Sequence, residues 1–223
     1  MIPRELIGVA EVPGGPPLRL IRHGGDFIIM LDRNDLMSSR MSGSEKALGT
    51  MTCARLQGNP APRFLIGGYG MGFTLRAVLG EVGAAARIVV AELVPGIIEW
   101  ARGPLQHITG DCLDDPRVEI EIDDVGKLIS SASHAYDAIL LDVDNGPDGL
   151  TREANDGLYT MTGLARARAA LRPGGILAIW SAGADAAFTR RLKQSGFDID
   201  EVQVRARENG KGATHTLWFA TAN

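Results

Sequence analysis

Apolar residues along the chain fall into two kinds of pattern. Up to about residue 36 they come in short strand-like runs broken by turns: PGGPP at 13–17, LRLIR at 18–22, and FIIML at 27–31, with His23-Gly-Gly-Asp26 placed to close a hairpin between the last two. Ser44 is a suitable N-cap for a helix of about four turns that ends near Gly58. After Asn59-Pro-Ala-Pro62 the rhythm changes to alternating strands and helices. Strands are predicted at 63–67, 86–93, 118–122, 138–142 and 176–180, and helices at 73–82, from Pro95 through Arg102, at 127–132, 157–172 and 185–195. The unbroken apolar runs in IVVA and AILL suit a parallel sheet covered on both faces. The last segment, 200–207 and 214–220, flanks Asn209-Gly210 and reads as an antiparallel hairpin.

This order predicts an α/β chain with a small N-terminal β-rich subdomain and linking helix (residues 1–60). A Rossmann-like domain (61–223) follows, its mostly parallel sheet finishing in an antiparallel hairpin. That ending distinguishes the class I S-adenosylmethionine-dependent methyltransferase fold from a plain dinucleotide domain.

Composition narrows the function. With 223 residues, 45% hydrophobic and 22% charged, the chain can bury a full core without disulfide or metal. A net charge of −4 speaks against a nucleic-acid coat. No apolar run reaches membrane-helix length and the first residues lack a signal-peptide pattern, so a cytoplasmic location is expected. Cys53 and Cys112 have no metal-ligand spacing and read as buried thiols.

The chemistry concentrates at strand ends. Gly67, Gly68, Gly70 and Gly72 lie between a strand and a helix, where backbone N–H groups can face a ligand. Glu92 stands 20 residues after Gly72 at the end of the next strand, the place of an acid that holds ribose hydroxyls. Asp123 and Asp124 follow the strand 118–122 and suit an adenine contact as well as a helix N-cap. Asp142 ends the central strand, where a carboxylate can act as a general base or hold an ammonium substrate. Asp144, Asn145 and Tyr159 are placed to contact the acceptor. Asp148 reads as a turn residue, the four histidines are scattered, and the oxygen ligands that a metal needs are not apparent.

Five blocks, IGGYGMGFTLR (66–76), VVAELVPGIIE (89–99), DDPRVEIEIDD (114–124), YDAILLDVDNGP (136–147) and LYTMTGLARARAALRPGGIL (158–177), together resemble the spermidine synthase family of aminopropyltransferases. The resemblance implies a homodimer that uses decarboxylated S-adenosylmethionine as co-substrate and transfers its aminopropyl group to an amine. Glu92 would bind ribose, Asp124 adenine, and Asp142 would accept the amine's proton. The family's loop carries an aspartate for the aminopropyl ammonium where this chain has Gly70. Its Asp-Ser-Ser-Asp motif appears as Asp142-Val-Asp144-Asn145, and its Tyr-His-Glu stretch as Ser44-Glu45-Lys46. A cationic Lys46 would repel a diamine unless it points away. The loss of the loop acid keeps an S-adenosylmethionine-dependent methyltransferase as the alternative. A non-catalytic nucleoside- or polyamine-binding protein is the third reading.

Overall fold

The computed structural model describes residues 3–56, 58–143 and 157–223. Two sheets organise it. The first has four antiparallel strands in chain order, β1 (Arg4–Ala10), β2 (Leu18–His23), β3 (Asp26–Leu31) and β4 (Asn34–Ser38). His23 pairs with Asp26, so Gly24-Gly25 closes the expected hairpin. β1 and β4 lie at the two edges of this sheet, and both contain register irregularities.

Helix α1 (Gly43–Arg55) leads into the second unit. It begins one residue after Ser42, so Ser44 lies inside the helix and is buried rather than capping it. Then come β5 (Arg63–Gly67), α2 (Phe73–Glu81), β6 (Arg87–Ala91), α3 (Pro95–Arg102), the single turn α4 (Gln106–Thr109) and β7 (Val118–Glu121). The chain continues through α5 (Val125–Ser131), β8 (Tyr136–Leu141), α6 (Met161–Ala170), β9 (Leu171–Ser181), α7 (Ala186–Gln194), β10 (Phe197–Arg205) and β11 (Thr214–Ala222). The seven strands run in the order β10-β11-β9-β8-β5-β6-β7. β5 to β9 are parallel, while β11 is antiparallel to both β9 and β10. This is the predicted class I methyltransferase-like architecture. The connections reverse direction between β5 and β8, which opens a crevice beyond the carboxyl ends of β5, β6 and β8.

The apolar runs are explained by burial on both faces. Phe64, Ile66, Val90, Ala138 and Leu140 pack toward α1, α2 and the first sheet, whereas Leu65, Ala91, Ile139 and Leu141 pack toward α5, α6 and α7. With both faces covered, no polar alternation survives in these strands.

The helix expected at 157–172 is interrupted at Thr160, residues 157–159 being helical on their own side of the break, and it ends two residues early. α6 starts after Thr160, whose hydroxyl accepts the Gly163 N–H at 3.1 Å, and it ends at Ala170. Leu171 already pairs with Tyr136 in the sheet. Pro173 disfavours helical backbone at Arg172, and the Arg172 guanidinium is held by Asp137 at 2.9 Å. Asp137 also accepts the Arg63 N–H at 2.7 Å, tying the start of β5 to β8.

Candidate active site

The glycine loop leaves β5 and turns over the end of β8. Gly68 adopts φ +84°, and a Cβ there would lie 2.6 Å from the carbonyl oxygen of Asp142. Only glycine lets the two chains approach this closely. Gly67 and Gly72 flank the turn, at the end of β5 and at the N-cap of α2, and Gly70 faces the crevice. The loop's own side chain, Tyr69, turns away into the core and hydrogen-bonds Cys112 Sγ at 3.3 Å. Cys53 and Cys112 are free thiols.

Glu92 directly follows β6 and is buried. One carboxylate oxygen accepts the Tyr69 N–H at 2.9 Å, the other the Val94 N–H at 2.8 Å. A single side chain thus fixes the glycine loop against the start of α3. Burial pushes its carboxyl up, and the backbone N–H groups oppose that shift. Asp124 caps α5 by accepting the Gly126 N–H at 2.7 Å. Asp123 pairs with Lys127 at 2.7 Å, and that ammonium holds its carboxyl below the usual range.

Asp142 follows β8, its N–H donating to Gly67 O at 3.0 Å. Its Oδ2 accepts the Thr74 hydroxyl at 2.7 Å. Glu45, in the first turn of α1, faces the same space and is 5% exposed. Burial, reinforced by the charge of Asp142, pushes Glu45 up to about 8. Burial likewise pushes Asp142 up to about 6, against the Thr74 hydrogen bond. Two carboxyls close together in a poorly solvated site favour sharing a proton over carrying two charges.

These residues surround a cavity of about 320 Å³ between the two sheets. Glu92, Gly68, Gly70, Asp123, Asp124 and Asp142 line it, whereas Gly67 and Gly72, also expected at the ligand, do not. Leu18, Ile29, Leu31, Leu36 and Met37 of the first sheet supply an apolar wall. Among the described residues the lining carries six carboxylates, Asp35, Glu45, Glu92, Asp123, Asp124 and Asp142, and no lysine or arginine. Lys46 points outward and pairs with Glu208, so it does not oppose a cationic ligand.

One expected acceptor contact stands differently. Tyr159 does not line the cavity. It is 3% exposed in the core on the other face of the sheet, edge-on to Phe188 at 5.6 Å between ring centroids. Asp144 and Asn145 lie outside the described residues, as does Asp148. Among the described residues no cluster of three or more His, Cys, Asp or Glu side chains has a metal-binding arrangement.

The sequence reading missed part of the site. Ser44 Oγ lies 2.6 Å from Glu45 Oε2 and 2.8 Å from His215 Nδ1, and the His215 ring stands edge-to-face on Trp180 with 4.7 Å between centroids. Both rings line the cavity. Glu45 had one signal, its place in the stretch matched to the family's Tyr-His-Glu. His215 had none, because its partner is 171 residues away.

The spermine/spermidine synthase domain matches residues 48–193, well over half of the 223. A polyamine aminopropyltransferase of Korarchaeum cryptofilum is 30% identical over 125 residues, 56% of this chain and 36% of that protein. One from Mycobacterium tuberculosis is 34% identical over 119 residues, 52% of this chain and 22% of that protein. The aligned part therefore spans about a third or less of these relatives' length. The spermidine synthase of Thermotoga maritima superposes with a TM-score of 0.76 at 20% identity, covering 98% of this chain and 73% of that one. A 1,6-didemethyltoxoflavin-N1-methyltransferase of Burkholderia thailandensis, solved with S-adenosylhomocysteine, shares the fold at a TM-score of 0.55 and 23% identity, over 81% of this chain and 78% of that one. On the strength of the domain match, the chain belongs to the spermine/spermidine synthase family.

Proposed function

We propose that the protein is a spermidine synthase-like transferase that binds decarboxylated S-adenosylmethionine and moves its aminopropyl group onto a small-molecule amine. The observation that carries this reading is the acidic character of the cavity, whose described lining has six carboxyl side chains, two of them sharing a proton, and no basic side chain except His215. Such a lining attracts a sulfonium and an amine, and it offers no ion partner to the carboxylate of S-adenosylmethionine itself. The family's characterised members point the same way, the curated relatives being polyamine aminopropyltransferases. A solved spermidine synthase structure of the same fold holds a transition-state analogue.

In this reading Glu92 holds the ribose, already oriented by two backbone N–H groups, and Asp124 takes the adenine edge from the start of α5. The sulfonium is a good leaving group, so the protein's work is alignment and deprotonation. Amine nitrogen bonds to the methylene beside sulfur, the carbon–sulfur bond breaks, and methylthioadenosine leaves. The nitrogen's surplus proton passes to the Asp142–Glu45 pair, whose raised proton affinity suits a base working near neutrality. Homodimer formation, a cytoplasmic location and the absence of nucleic-acid partners belong to this proposal and rest on the resemblance and the composition.

One observation favours the methyltransferase alternative. Met37, an uncharged side chain, packs against Gly70, where the family's loop acid would stand. Product analysis separates the readings. Amine-dependent formation of methylthioadenosine from the decarboxylated substrate supports aminopropyl transfer. S-adenosylhomocysteine formed from S-adenosylmethionine supports methylation, and binding without either product supports the non-catalytic reading.

A further inference from the structure

The transfer chemistry uses one side of Glu45 and leaves a second polar connection unexplained. From Glu45 Oε2 a buried chain runs through Ser44 Oγ, at 2.6 Å, to His215 Nδ1, at 2.8 Å. A serine hydroxyl has one proton, so it donates in only one of these bonds and accepts in the other. The chain therefore has two arrangements. In one, His215 Nδ1–H donates to Ser44, and Ser44 donates to an anionic Glu45. In the other, a protonated Glu45 donates to Ser44, and Ser44 donates to Nδ1. Passing between them moves one proton between the carboxylate and the imidazole without displacing a heavy atom.

The surroundings leave this path open. Among the described residues, the titratable groups that face Glu45 are Asp142 at the end of β8 and His215 on β11. α2 contributes the neutral Thr74, whose hydroxyl lies 3.3 Å from the Glu45 carbonyl oxygen. Lys46, the next residue on α1, is engaged outside with Glu208. His215 is flanked by the Trp180 ring, which carries no charge to trap a proton. Burial holds the proton affinity of His215 below that of Glu45, so the imidazolium forms uphill as a transient carrier and drains by releasing its Nε2 proton to water.

We propose that Ser44 and His215 form a proton branch of this site, His215 acting through Ser44 as a positioning residue that accepts the proton Glu45 receives and returns Glu45 to its anionic form. In each cycle the Glu45 O–H bond breaks and a new Ser44 O–H bond forms. The former hydroxyl proton ends on Nδ1, the imidazolium releases its Nε2 proton to water, and exchange of the resulting Nδ1–H tautomer back to the Nε2–H form through water leaves Nδ1 bare for the next cycle. The inference rests on the carboxyl pair being the proton acceptor of the proposed transfer.

The experiment titrates the full chain, labelled with carboxyl-13C glutamate and imidazole-15N histidine, as wild type, Ser44→Ala and His215→Asn. Asparagine keeps a hydrogen-bonding atom near the Nδ1 position but does not titrate. The wild-type Glu45 curve is expected to show a second inflection at the His215 midpoint. Both variants should lose it while binding methylthioadenosine within about twofold of wild type. His215→Asn should also slow amine-dependent turnover about ten- to a hundredfold and change its pH profile. The branch is overturned by a single Glu45 midpoint common to all three proteins, or by wild-type turnover in His215→Asn. Coupled titration in a wild type that transfers no aminopropyl group would uphold the branch and overturn the transfer reading instead.

Discussion

Met37 of β4 fills the space that a side chain on Gly70 would need. A Cβ on Gly70 would stand 2.7 Å from Met37 Cε and 2.9 Å from its Sδ, and Gly70 has φ +55°. The glycine of one sheet's loop and the thioether of the other sheet therefore belong together. Gly70→Asp should destabilise the protein by about 1–2 kcal/mol from left-handed backbone alone. Met37→Ala in the same chain should recover any further loss, because the obstructing atoms are the end of a flexible side chain. With the acid in place, calorimetry should show the preference for decarboxylated over ordinary S-adenosylmethionine rising about tenfold. An unchanged ratio would remove Gly70 from specificity.

Glu92 and Asp124 separate binding from stability. Glu92→Gln replaces one carboxylate oxygen with an NH₂ that must face a backbone N–H, at Tyr69 or at Val94. A loss of about 1–3 kcal/mol in urea unfolding is expected, together with at least about a tenfold loss in methylthioadenosine affinity. Asp124→Asn keeps a good N-cap for α5, so affinity should fall with unfolding unchanged. Full affinity in both variants would detach these acids from the nucleoside.

Asp142→Asn should abolish amine-dependent turnover, by about a hundredfold or more, and leave methylthioadenosine affinity within about twofold. Asparagine still accepts the Thr74 hydroxyl, so the local geometry survives. Equal activity in this variant would take Asp142 out of the mechanism.

Glu45 gives the unliganded protein a pH dependence of definite sign. Its carboxyl is raised to about 8 in the fold, against an ordinary value of 4.5. Between those values the folded chain holds more protons than the unfolded one, so ionising Glu45 costs stability as pH rises through this window. The Tm difference between Glu45→Gln and wild type should therefore grow in the variant's favour from about pH 4.5 to about pH 8. A difference independent of pH would show that Glu45 titrates normally.

What the sequence disclosed follows from where its signals are local. β5, β6 and β8 are legible because they are covered on both faces, and the acids at their ends, Glu92 and Asp142, inherit that clarity. β1 is harder to read, since its exposed start and its irregular register blur the alternation. Tyr159 was drawn to the site by its position beside an acidic loop, but the face on which a residue falls depends on packing, and here Phe188 claims it. Ser44, Glu45 and His215 meet only because β11 returns antiparallel beside β9, under the first turn of α1. No short-range pattern records such a meeting.

The central claim is that the anionic cavity takes an adenosyl sulfonium in its decarboxylated form. Calorimetric titration of the wild type with decarboxylated S-adenosylmethionine, S-adenosylmethionine and methylthioadenosine tests it most directly. The account predicts tighter binding of the decarboxylated compound than of S-adenosylmethionine, by about tenfold or more, with methylthioadenosine also bound. Preference for the carboxylated form would contradict aminopropyl transfer, and failure to bind any of the three would contradict the nucleoside site itself.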